Sequence, residues 1–230
     1  MNGFISDLTG VVGSPGKTIA RAMEAKRWKT ALAAILLVTA LVTFITFPIT
    51  KAEQAKLIHD SEMADKLSDE QLAGLENFSS FQRVSGSVFA AFFAALALVL
   101  GAFFIYLFFK VGGAEGLYAN FFSAVAQASL LDMVLGGALK GLLVLLKKTM
   151  MVQTGLTLFF PGLDFRSLPY VVLSQFDFFS LWYLAALALG VAIFARISLK
   201  KSVTITVMYF LFKSLVLVSI SFFGMKLMGM

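Results

Sequence analysis

Asp177 and Arg196 bracket 18 residues (178–195) that carry no charge. As a helix rising about 1.5 Å per residue, this run is about 27 Å long, nearly the roughly 30 Å of a bilayer's hydrocarbon core. A chain built around such a segment folds across a membrane, and the two ends of the segment set its direction. Asp177, Trp182 and Tyr183 form an acidic and aromatic entrance, predicted at the outer boundary of this span. Arg196, Lys200 and Lys201 form a basic loop of the kind that stays on the cytoplasmic side. With 59% hydrophobic residues and 25 Phe, the chain has too little polar surface to dissolve as a globule.

Other uncharged runs repeat the pattern. Residues 1–29 read as a polar N-terminal arm in which Ser14-Pro15 starts a short helix. On that helix Ile19, Ala22 and Met23 face one way and Lys17, Arg21 and Glu24 the other, which suits a helix lying in the membrane interface. The rest, 30–230, is predicted as one membrane domain with spans at about 30–50, 84–109, 118–146, 178–197 and 202–225. Pro48 suits the end of the first span better than its interior. The outer loop 51–83 is acidic, and Ser68-Asp69-Glu70-Gln71 has capping-box spacing, so a helical hairpin outside the bilayer is expected there. The first turns of the third span are expected to run along the interface. Segment 147–176, interrupted by Gly155, Pro161-Gly162 and Pro169, is too broken to span. Its apolar pieces, 150–160 and 168–173, read as half-helices dipping into the interface, covered by other protein. The fold class is thus an all-α, five-span helix bundle with an interfacial helix and an extramembrane hairpin.

Asp132 and Lys213 are the informative intramembrane charges. A charge at the centre of a spanning helix costs about 2.5–3.5 kcal/mol on insertion scales, and the two residues reach similar depth, so they are predicted to pair. Lys140, eight positions beyond Asp132, is too far along the same helix to reach it. Asp177 is expected to hold the broken segment through Arg166, Lys147 or backbone N–H groups, or else simply to anchor the boundary. Crowding of Lys26, Arg27 and Lys29 beside the first span, together with the basic loop at 196–201, orients the N-terminus inside and the C-terminus outside.

Several classes are excluded or disfavoured. The net charge of +6 sits beside apolar spans, where it meets lipid headgroups, so nucleic acid is not a partner. Cysteine is absent and His59 is the single histidine, so no thiolate or multi-histidine metal site is expected, and no cofactor. No phosphate-loop, nucleophile-elbow or zinc-protease motif occurs, and no catalytic residues are assigned.

Phe176-Asp177-Phe178-Phe179-Ser180-Leu181-Trp182, followed by Gly190 and the basic loop, resembles the Asp-x-Phe-x-x-Trp entrance to the fourth span of the Yip domain family. These are Ypt/Rab-GTPase-interacting five-span membrane proteins. Pro15-x-x-Thr18-Ile19 resembles the family's N-terminal element, and Ser68-Asp69-Glu70-Gln71 resembles its bacterial members; the likeness runs over about 11–225. It implies a non-enzymatic scaffold or membrane-organising, trafficking-like factor in a bacterial cytoplasmic membrane. Its contacts would be lipid, a second copy or another membrane protein. The Asp-Leu-Tyr-Gly-Pro element is missing, and Gly116-Leu117-Tyr118 lacks the proline of the family's third span, so contact with a Rab-type GTPase does not carry over. The alternative is a small transporter or channel, for ions or lipid, using Asp132 and Lys213.

Overall fold

The structure, a computed structural model, describes residues 2–59, 67–68, 79–165 and 167–227, with side chains from Ile5 to Gly224. The described residues are helical apart from connections and one isolated β-bridge. α1 (Asn2–Gly13) and α2 (Pro15–Glu24) precede α3 (Lys29–His59) and α4 (Ser80–Val111). A continuous rod follows: α5 (Tyr118–Ser129), a π-helical turn (Leu130–Gly136) and α6 (Gly137–Lys147). A 3₁₀ turn (Leu156–Phe159), α7 (Leu168–Ser174), α8 (Phe178–Phe194) and α9 (Leu199–Leu227) complete the chain.

Four of these are long and apolar enough to cross a membrane: Lys29–His59, Ser80–Val111, Tyr118–Lys147 and Leu199–Gly224. The segment expected as the fourth span is the shorter α8, 17 residues from Phe178 to Phe194. It stops before 197 because Arg196 takes a left-handed backbone (φ 52°) and Ile197 N–H closes onto the Ala192 carbonyl at 3.2 Å.

The rod is the centre of the bundle. From Asn120 to Leu131 every residue is buried, with α5 packed on α2, α4, α8 and α3. Its first turns are therefore core, not a segment along the interface as expected. The cause is composition: Ala124, Ala126 and Ala128 let neighbouring backbones close in on all sides. Outside it, α3 packs on α4, α4 on α9, and α9 on α8, with their far faces exposed and apolar.

α2 also differs from expectation. Ile19 and Met23 are fully buried, and the apolar face predicted to meet lipid is spent on α8 and α5. Gly190 makes this docking close: a Cβ there would run into the Ile19 side chain.

Pro48 lies inside α3, which continues to His59. Two further α4 details were not anticipated. Its start is earlier than 84, and a capping box forms at Ser79 and Gln82, with Ser79 N–H donating to Gln82 Oε1 at 2.8 Å and Gln82 N–H to Ser79 Oγ at 3.2 Å. The expected hairpin and its Ser68–Gln71 box lie largely outside the described residues. Of the two expected half-helices, 150–160 holds a single 3₁₀ turn, whereas α7 forms as anticipated, capped by Ser167.

Candidate functional site

Two clusters of polar groups join the central rod to its neighbours. The first is built around Asp177 at the start of α8. Asp177 Oδ1 caps the helix, accepting from Phe179 N–H at 3.0 Å and Ser180 N–H at 3.3 Å. Its Oδ2 forms an ion pair with Lys140 Nζ of α6 at 3.2 Å and accepts from the Thr154 hydroxyl. Backbone bonds continue the joint: Phe178 N–H to Thr154 O at 3.2 Å and Leu156 N–H to Phe176 O at 3.1 Å. Gly155 is required here, because a Cβ would lie 2.9 Å from Asp177 Cα and 2.5 Å from Phe176 O.

Asp177 thus does hold the broken segment, but the partners differ from those expected. Lys140 and Thr154 take the place of Lys147, which is exposed; Arg166 lies outside the described residues. Lys140 is seven residues before the end of α6, so its stem reaches along the helix to α8, whereas Lys147 sits where the rod turns away through the left-handed Lys148 (φ 56°). Burial pushes the Asp177 carboxyl up, but the Thr154 hydroxyl, the Lys140 ammonium and the Ser180 amide outweigh it and hold the group below its ordinary value. The other end of the segment is tied by Glu53 of α3, which accepts from the Thr149 hydroxyl and Met150 N–H.

Ser180 links this joint to Asp132, donating its hydroxyl to Asp132 Oδ2 at 3.2 Å. Asp132 lies in the π turn, and π turns widen a helix and redirect the side chains on it. Gly136 in the same turn seats Phe179, whose ring carbon would be 2.8 Å from a Cβ. The predicted Asp132–Lys213 pair is not formed: no ion pair joins them within 4.0 Å among the described residues. The helix order explains it. The π turn packs on α8 and α3, while α9 packs on α8, α4 and α7, so α8 stands between the two charges. Lys213 instead lines a groove between α4 and α9.

Of the residues expected at the outer boundary, Trp182 is half-buried against Phe178, ring centroids 5.8 Å apart. Tyr183 is 7% exposed and turned into the core, on the face shared by Leu184, Leu187 and Val191. Arg196, Lys200 and Lys201 are all exposed, as a basic loop requires.

The second cluster was missed. Asp7 of α1 accepts from the Arg27 guanidinium at 3.3 Å through both oxygens and from Gln127 Nε2 at 3.3 Å. Gln127, fully buried, also donates to the Arg27 carbonyl at 3.0 Å, and Asn120 Nδ2 donates to the Met23 carbonyl at 2.7 Å. Together they fasten the N-terminal helices to the rod. The signal was present: Asn120, Ser123 and Gln127 recur at helical spacing in an apolar span, and polar residues so placed face other helices.

Among the described residues no group of three or more His, Cys, Asp or Glu converges. The arrangement can bind helices and a re-entrant segment together. Comparison with curated proteins and with solved structures returns no match. The Yip1 domain matches residues 9–221, from α1 through most of α9, and the chain therefore belongs to the Yip1 domain family.

Proposed function

We propose that this protein is a non-enzymatic membrane scaffold of Yip type, organising a membrane or its resident proteins in the manner of a trafficking factor. The observation that carries the reading is that the acidic groups along the central rod are bound within the bundle. Lys140 and Thr154 hold Asp177, Ser180 holds Asp132, and Arg27 and Gln127 hold Asp7. A transport site needs such charges turned toward a wet cavity, whereas a scaffold needs them only satisfied. The four described grooves are apolar, and Asp132 lines none of them. The exposed aromatic face of α4, with Phe89, Phe92 and Phe93, is offered to lipid, a second copy or another membrane protein.

On this reading α8 is a fifth span, made long enough by its flanking boundary residues, with the N-terminus and the basic loop inside and the C-terminus outside. The membrane is a bacterial cytoplasmic one. The alternative of a small ion or lipid transporter using Asp132 and Lys213 loses its simplest form, since the two are separated by α8. Proteoliposomes carrying the full chain test the choice. The scaffold reading expects proton, sodium and potassium flux no higher than in empty liposomes. Flux above that level, abolished by Asp132→Asn in protein of unchanged stability, would establish transport instead.

A further inference from the structure

We propose that the groove between α4 and α9 binds a long-chain fatty acid, with Lys213 and Tyr209 holding its carboxylate. The groove is about 270 Å³ and is lined by Leu100, Gly101, Phe104, Tyr209, Lys213 and Leu217 among others. Lys213 is the middle residue of the 29-residue α9, as far as this helix can place a charge from either of its ends. No carboxylate lies within 4.0 Å of it among the described residues, whereas the intramembrane Lys140 is paired with Asp177. An ammonium at that depth is costly, and its most favourable contact is an anion brought to it. Tyr209, one turn before Lys213, lines the same groove, so hydroxyl and ammonium present two donors to one acceptor group.

The shape of the groove selects the occupant. The Tyr209 hydroxyl lies against α4 beside Gly101, and a second groove of about 470 Å³ lies on the same α4–α9 seam beside Leu107, Val111 and Met208. Between the two, Phe104 and Phe108 clasp Phe212 at ring distances of 5.2 and 5.6 Å. An apolar groove with one half-buried cationic donor suits a single alkyl chain ending in an acid. A phospholipid phosphate is held at headgroup level by its glycerol and second chain. A fatty acid can travel inward protonated and, once that proton is released to water, leaves a carboxylate whose ion pair with the Lys213 ammonium is neutral overall. This site goes beyond the scaffold reading and stands whether or not the protein organises partners.

The full chain in phosphatidylcholine nanodiscs, labelled with a diazirine analogue of palmitic acid, tests the proposal. Adducts are expected on 97–108 and 205–217, displaced by oleate and not by oleyl alcohol. Lys213→Met should lower labelling at least tenfold, Lys213→Arg should keep it within about threefold, and Tyr209→Phe should fall between them. Labelling unchanged in folded Lys213→Met, or displaced equally by the alcohol, overturns the proposal. So does displacement by phosphatidylglycerol but not oleate, or disulfide cross-linking between copies through Leu100→Cys that excludes the label. If Lys213→Met does not fold, the comparison of oleate with its alcohol on the unaltered chain decides.

Discussion

The Arg83 guanidinium of α4 donates Nε–H to the Phe44 carbonyl of α3 at 2.7 Å and lies 3.9 Å from the centre of the Phe44 ring. That carbonyl is the one left without a helical donor by Pro48, four residues on, so an arginine from the neighbouring helix supplies what proline removes. Pro48 can therefore stay inside a spanning helix. Arg83→Met should destabilise the protein by about 1–2 kcal/mol, the cost of stranding such an acceptor. In a Pro48→Ala background the restored N–H serves Phe44, and Arg83→Met should cost markedly less. Thermal unfolding of the four proteins in one detergent measures this; equal costs in both backgrounds would show that the bond to Phe44 does not matter.

Docking of α2 is tested at Gly190, where any side chain meets Ile19. Gly190→Val should cost about 1–3 kcal/mol by overpacking and should raise protease cleavage within 1–28. Ile19→Ala opens space for it, so the double variant should recover part of the loss. A helix lying free on the membrane would give no such compensation.

The helices and the class of fold were legible because hydrophobic runs and their breaks are local properties of the chain. Helix partners were not, because a span's depth does not say which neighbour it faces. Asp132 and Lys213 share a depth and differ in azimuth, with α8 between them. Pro48 was read as an end because the compensating donor, Arg83, lies 35 residues away in sequence on another helix. From its position Asp177 could be read either as the holder of the broken segment or as a plain boundary anchor, and the structure shows it holding the segment. Its true partner Lys140 was considered only for Asp132, along the same helix, and not across to α8.

Acid should loosen the joint at Asp177. Its carboxyl is held below its ordinary value of 3.8, so the contact contributes fully above that value and is lost as pH falls through the lower folded value. Asp177→Asn keeps a capping oxygen but removes the charge, and its deficit should be about 1 kcal/mol, reduced by the partial exposure of Lys140. Proteolysis of 148–176 measures the effect. The gap between the variant and the unaltered protein should be constant above about pH 4 and close below it; a gap that widens on acidification would contradict the depressed carboxyl.

Two double-mutant cycles in one stability assay put the central claim, that the acidic groups along the rod are bound in local joints, to its most direct test. The first pairs Asp177→Asn with Lys140→Met, and the second pairs Asp132→Asn with Lys213→Met. The structure predicts coupling of about 0.5–3 kcal/mol in the first and none in the second, where each loss should add. Additive losses at Asp177 and Lys140, with coupling between Asp132 and Lys213, would contradict it.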